Sequence, residues 1–371
     1  MDSLPLACKT ASMDTQQRLD KIAGIGGLTY ADVCFGKPTE GRSYQFTHDS
    51  GGTAACRTTT ERRYLVASIT KPITAMAIVK LAAEGQLSLA EPISTFLPSF
   101  KRAAIRRTTV RHLLTHSSGF PDMLPNNAEL RAAHASLEEF VCQAVDAKLE
   151  FRTATDCRYS SVGFLLLGAI VELVTGQKLG VFLKEQFFEP LEMTNTWLGM
   201  SPEQADEILP TVLPSILPEW QPNAEEWGWN SPYWRTLGAP WGGMISSARD
   251  LGRFAEMVLR RGCDGNGRQL LPETAVVATV SDQTAAMATQ RDYVGPHRSW
   301  GFGWRREWPS HGASFGDFLS TETVGHWGAT GTMMWIDPTS NRYSVILTTT
   351  PYEDSQAIIQ RISNVTATTP V

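Results

Sequence analysis

Basic blocks, long apolar runs and paired cysteines are all missing from this chain. Its 33 Lys and Arg are balanced by 38 Asp and Glu, a formal net charge of -5. A nucleic-acid binder would carry a clustered positive face, and a binder of anionic lipid a basic run. Neither is present, so no nucleic-acid and no membrane partner is expected, and a small or neutral substrate fits better than a polyelectrolyte. The longest nearly uncharged stretch, 162–174, is too short to span a bilayer and contains Glu172. The first ten residues hold one lysine and no apolar core of the signal-peptide kind, so the expectation is a soluble, cytoplasmic protein. Cys8, Cys34, Cys56, Cys142, Cys157 and Cys263 are scattered, with no CxxC pair and no zinc-like spacing. Disulfide frameworks belong to short secreted chains, so these read as mostly reduced thiols. Charged residues are also sparse, at 19% against about 25% in globular proteins. With 42% hydrophobic residues, the chain has ample material for a core and is not disordered. It shows no internal repeat.

What is present falls into three zones. At roughly 150 residues per domain, 371 residues suggest two domains or one large composite. Near the N-terminus, 14–23 reads as a helix and 28–35 and 43–48 as strands with a Gly/Lys/Pro turn between them. Near the C-terminus, 332–336 and 343–349 read as strands joined by the hairpin signal Asp337-Pro338-Thr339-Ser340-Asn341, followed by a helix over about 354–363. Between them, 69–84, 110–115, 137–147, 162–175 and 181–188 have helical patterns, several closed by Gly85, Gly119 or Gly176. The expected architecture is α/β (α+β): a sheet domain from 1–88 and 241–371, and a mainly helical domain over 89–240. Six of the eleven tryptophans and seven of the twenty-one prolines lie between Trp197 and Trp241, which excludes regular helix there. That segment reads either as an ordered wall or lid over a pocket, at 197–240, or as irregular surface packing.

The sharpest chemical signal is Ser68-Ile69-Thr70-Lys71, at the opening of a helix. A spacing of three places Ser68 and Lys71 on one face of a turn, where a neutral amine can take the proton of a serine hydroxyl and make it a nucleophile. The bland reading is an N-cap serine beside a solvated lysine. Tyr159, in Arg158-Tyr159-Ser160-Ser161, sits where loop meets helix. Free tyrosine and lysine both titrate at about 10, so a Tyr159–Lys71 pair needs mutual tuning, with Tyr159 either ionising or relaying a proton. The alternative is an aromatic packed beneath the helix. Gly325-His326-Trp327-Gly328-Ala329-Thr330-Gly331 leads into a strand, and closely spaced glycines let a backbone approach a ligand. The amides of Ser68 and Ala329 could then form an oxyanion hole; a simple bulge is the other reading.

These three motifs, in this order and spacing, resemble those of the serine β-lactamase-like hydrolases: class C β-lactamases, penicillin-binding DD-peptidases and family VIII-type esterases. The stretches at 110–119, 188–193 and 242–251 look like structural signatures of the same superfamily, and the resemblance runs from about Tyr64 to Thr349. It implies an antiparallel sheet flanked by helices plus an all-helical domain, with the active site between them. By matching position it implies Ser68 as acylated nucleophile, Lys71 as its base partner and Tyr159 as proton relay. It also implies Ser68 and Ala329 as oxyanion amides, and Ser161, His326, Trp327 and Gly328 on the substrate side. No cofactor and no metal are implied.

Two departures shift the expected substrate. Ser161 stands where the β-lactamase pattern has Asn, and His326-Trp327 where it has Lys followed by Thr or Ser. Losing a short hydroxyl and gaining an indole should weaken carboxylate recognition and narrow the cleft. The expectation is a carboxylesterase on small neutral esters, with weak β-lactam hydrolysis left open. The alternatives are a D-amino-acid amidase, DD-peptidase or acyltransferase of the same fold, or a non-catalytic binding module. Oligomeric state is not legible.

Three decoys carry less. Gly312-Ala313-Ser314-Phe315-Gly316 matches a nucleophile elbow but lacks the flanking strand and helix and the downstream order of acid and histidine. His112 and His116 are four apart, without the glutamate of a zinc-protease helix, and read as a structural corner. Glu189 and Glu192 sit at a helix end rather than in a deacylating position.

Overall fold

The computed structural model describes residues 14–370 except 39, 48–60, 220, 222–223, 295, 297 and 308–314. Among the described residues the strands are β1 (Tyr30–Gly36), β2 (Arg42–Thr47), β3 (Tyr64–Leu65), β4 (Trp197–Leu198), β5 (Met244–Ser246), β6 (Arg305–Arg306), β7 (Val324–Gly328), β8 (Thr332–Asp337) and β9 (Arg342–Thr348). The helices that matter below are labelled α1 (Thr15–Ile25), α2 (Thr70–Ala83), α3 (Ser161–Thr175), α4 (Ala248–Leu259) and α5 (Tyr352–Thr368).

The central strands β1, β8 and β9 are buried almost without interruption, as strands of a sheet covered on both faces are. Six strands pair antiparallel in the order β2-β1-β9-β8-β7-β6, so both ends of the chain meet where β1 lies against β9, Val33 opposite Ile346. Each sheet face is covered. On one, Leu19 and Ala23 of α1 and Ile359 and Ile362 of α5 pack on Val33, Phe35, Trp335 and Ile346. On the other, α4 packs against β9, β1 and β8, its Leu251, Phe254, Ala255 and Val258 joining Val345 and Leu347 in the larger core.

α2 lies inside that core. Every residue from Thr70 to Val79 is buried, as is Leu81, because α3 packs on it from the helical side. A helix apolar all round is a buried helix, and this one anchors the chain beneath Ser68. It ends where Gly85 takes the left-handed conformation, φ +74°.

Three local details depart from expectation. The segment expected as one helix from 69 opens instead with a 3₁₀ turn, Ala67–Ile69, before α2 begins. The segment 181–188 divides into a short α-helix, Leu179–Leu183, and a π-helical turn, Lys184–Phe188. A second, three-stranded sheet, β3-β5-β4, has no counterpart in the sequence reading, since strands of two or three residues carry no periodicity. Cys8, Cys56, His48, His297, His311 and Ser314 lie outside the described residues; Cys142, Cys157 and Cys263 form no disulfide among the described residues.

Candidate active site

The Ser68 turn is held from four directions. Val66 N–H donates to Met244 O of β5 (2.9 Å), Thr330 Oγ1 to Leu65 O (2.6 Å), Thr332 Oγ1 to Val66 O (3.0 Å) and Thr70 Oγ1 to Ala67 O (2.6 Å). Ala67, immediately before the serine, has φ +46°, a left-handed conformation costly for a residue with a Cβ and typical of functional turns.

Two groups converge on Ser68 Oγ. Lys71 Nζ lies 3.2 Å away and also donates to Trp241 O at 2.7 Å. Tyr159 OH donates to Ser68 Oγ at 2.7 Å. The Lys71 nitrogen sits 4.5 Å from the centre of the Tyr159 ring and 5.9 Å from that of Phe164. Burial among these rings lowers its pKa from the ordinary lysine value to about 7, with Asp122 pulling the other way. A neutral Lys71 turns its lone pair toward the serine hydroxyl while one N–H stays on Trp241 O. Burial pushes the Tyr159 phenol far up, with the Asp122 charge adding to it, so the resting phenol is protonated. Of the two readings of Tyr159, the geometry favours a relay over a standing phenolate.

Tyr159 reaches Ser68 because the chain turns sharply into α3. Ser160 caps that helix, its Oγ accepting from Gly163 N–H at 3.0 Å. Ser161, the next residue, takes a different direction from that expected. Its hydroxyl donates to Asp122 Oδ1 at 2.7 Å and its N–H to the same oxygen at 3.0 Å, and it is not part of the cleft lining. A carboxylate within reach has claimed the donor.

The third motif forms the opposite wall. β7 can lie against the Ser68 turn only because position 328 is glycine: a Cβ there would stand 2.3 Å from Val66 O and 3.1 Å from the Ala67 Cβ. The next residue, Ala329, lines the cleft with Ser68, and its carbonyl accepts from Tyr352 N–H at 3.0 Å. His326 points toward Tyr159, ring centres 5.7 Å apart, and its Nδ1 donates to Trp327 O at 2.7 Å. Burial and then the neighbouring Lys71 hold its pKa well below the usual range, so it is a neutral imidazole. Trp327 stacks on Tyr352 at the cleft, ring centres 5.5 Å apart and 7° from parallel.

The cleft, about 490 Å³, is lined by Ser68, Tyr159, His326, Trp327 and Ala329, and also by Trp229, Arg305, Tyr352, Glu353 and Gln356. None of the latter five came from sequence reasoning. Arg305 bears most on chemistry: paired with Gly325 across β6 and β7, it holds its guanidinium 4.0 Å over Trp327 and 5.1 Å over Trp300. Trp229 belongs to the Trp/Pro-rich segment and is the residue through which that segment lines the cleft among the described residues. Buried Arg235 donates to Trp229 O, Leu213 O and Asn230 Oδ1 at 3.2, 3.0 and 2.9 Å, and Arg131 lies 3.9 Å over Trp234.

The decoys resolve locally. His112 Nδ1 accepts from Thr109 N–H and His116 Nδ1 from Ser160 N–H. Among the described residues, no three His, Cys, Asp or Glu side chains gather as metal ligands. Glu189 and Glu192 are exposed and pair with Lys184 and Arg253. Phe315 packs edge-on to Trp327.

An antiparallel sheet between helical layers, with serine, lysine and tyrosine meeting at its edge, is the architecture of the serine β-lactamase-like hydrolases. The chain belongs to the Beta-lactamase family, whose model matches residues 15–367. A putative D-alanyl-D-alanine carboxypeptidase of Escherichia coli (strain K12) is 29% identical over 321 residues, 80% of this chain and 71% of that protein. Among solved structures, a penicillin-binding protein homologue from Caulobacter crescentus aligns with a TM-score of 0.73 at 22% identity, covering 95% of this chain and 97% of that one. EstCE1, a hydrolase with promiscuous acyltransferase activity, aligns with a TM-score of 0.72 at 19% identity, covering 95% and 98%. At these identities the two structures establish the fold.

Proposed function

We propose that the protein is a serine acyl hydrolase that forms an acyl-enzyme on Ser68 and acts on small carboxylic esters. The observation that carries this reading is the convergence of Lys71 Nζ and Tyr159 OH on Ser68 Oγ in one open cleft. Ser68 Oγ attacks the ester carbonyl carbon while the Lys71 amine takes its proton. The amides of Ser68 and Ala329 face the developing oxyanion. Collapse breaks the bond to the alcohol oxygen, which receives the Lys71 proton through the Tyr159 hydroxyl. Water then follows the reverse course: its proton goes to the same pair, its oxygen to the acyl carbon, and Ser68 recovers its hydrogen as the acid departs. Trp327, fixed by Tyr352, offers no short hydroxyl for a substrate carboxylate, which supports esters over penicillins.

Intact mass after reaction with a fluorophosphonate checks the nucleophile. One adduct is expected, mapping to Ser68 and absent from Ser68→Ala. An adduct elsewhere, or full activity in Ser68→Ala, would falsify the assignment.

Arg305 supports a second reading. A guanidinium in the cleft can take a carboxylate in a two-point grip, and the Escherichia coli relative is named for a peptide with that terminus. Its presence also tempers the expected preference for neutral substrates. Comparing p-nitrophenyl acetate with an N-acyl-D-alanyl-D-alanine peptide decides between them: a kcat/KM dominated by the peptide replaces the ester reading. Inertness toward both, and toward other activated acyl donors, would leave a binding module.

A further inference from the structure

His116 is a buried histidine that the reaction above leaves without a task. Its backbone has φ +56°, an unusual conformation for a side-chain-bearing residue, and its surroundings show what that conformation achieves. His116 O accepts from Arg158 N–H at 2.9 Å. Its Nδ1 accepts from Ser160 N–H at 3.0 Å. Its ring lies 4.9 Å from that of Tyr159 and 4.3 Å from that of Trp300, which itself meets the phenol ring at 6.1 Å. One residue thus holds the chain immediately before Tyr159, immediately after it, and along the phenol itself. The Nδ1 that accepts an amide hydrogen must be unprotonated, so the neutral ring carries its hydrogen on Nε2. Burial, with the Lys71 charge next in weight, keeps the imidazole neutral. The grip therefore places no cation beside the Lys71 amine.

We propose that His116 is the positioning residue of this site, setting the Tyr159 hydroxyl on Ser68 by accepting the Ser160 amide hydrogen and bracing the phenol ring. It touches neither substrate nor the reacting atoms; its effect passes through Tyr159. This rests on the Ser68 acyl-enzyme reading.

The experiment measures the p-nitrophenol burst and steady-state turnover of p-nitrophenyl acetate, with kcat expressed per acylated site, so that misfolded protein is not counted. His116→Leu removes the acceptor. His116→Gln, which serves if the leucine variant does not fold, carries its amide oxygen one bond too far. His116→Asn places an oxygen where Nδ1 was and tolerates the left-handed backbone. Since a misplacement of about 1 Å can cost about 10²-fold, kcat is expected to fall by roughly that factor in the leucine and glutamine variants, with KM within about threefold and the asparagine variant recovering most of the rate. A role confined to folding would change the burst amplitude and leave kcat per site intact. Wild-type kcat per site in the leucine or glutamine variant overturns the inference, as does an asparagine variant as slow as they are. A fluorophosphonate adduct of the wild type that maps away from Ser68 removes the Ser68 reading, and this inference with it.

Discussion

Lys71 carries the pH dependence of the proposed reaction. A base must be unprotonated to act, and burial has brought this amine to about 7. The acylation rate should therefore rise as pH passes upward through that value and level off above it. Stopped-flow bursts from about pH 5 to about pH 9 would show this limb, and a flat profile would mean another group takes the proton. The Ser68–Lys71 pair was legible because its chemistry fixes a spacing of three on one helical face, and Tyr159 because a loop-to-helix junction aims a side chain outward. Ser161 was legible as a position but not as a contact: its hydroxyl belongs to Asp122, distant in sequence. Arg305 was not legible, since a two-residue strand gives no pattern and nothing near it in sequence predicts Trp327 as its neighbour. His116 was read as a structural corner, its relation to residues 158–160 being visible only in three dimensions.

Elements set how closely these residues approach. β7 reaches the Ser68 turn through Gly328, where a methyl group would collide with Val66 O and Thr332 Oγ1, each 2.3 Å from a Cβ. Both are tethered to each other by a hydrogen bond, so neither yields easily. Gly328→Ala should force β7 outward, cost about 1–3 kcal/mol of stability and lower turnover by about 10²-fold as the Ala329 amide leaves its place. A urea titration and the burst rate measure the two effects; wild-type turnover in this variant would show that the approach is not needed. The glycines of β7 were conspicuous in the sequence and their use as a point of close approach was anticipated. The helix start was not placed correctly, because Ser68, Ile69 and Thr70 suit a 3₁₀ turn as well as an α-helix, and the deciding contacts come from β5 and β8.

Across the whole molecule, the site is assembled from parts that lie far apart in sequence. A sheet built from both ends was foreseeable from strand signals at each terminus and helical periodicity between them; the small sheet β3-β5-β4 was not. Trp229 lines the cleft from the Trp/Pro-rich segment, and Arg235 ties its carbonyl to that of Leu213. Truncating a buried donor leaves its acceptors unsatisfied, at roughly 1–3 kcal/mol. Arg235→Leu should therefore lower the urea midpoint accordingly and raise KM as Trp229 loosens. Unchanged KM despite the lost stability would separate the wall from substrate binding. The pairing of β1 with β9 also has a bearing on biosynthesis. As the polypeptide leaves the ribosome, Ser68 emerges long before β7 and β8, which pack against its turn, and β1, already paired with β2 on one side, waits for β9 on the other. The early hairpin of β1 and β2 therefore keeps one hydrogen-bonding edge open over that interval, where another strand could add itself.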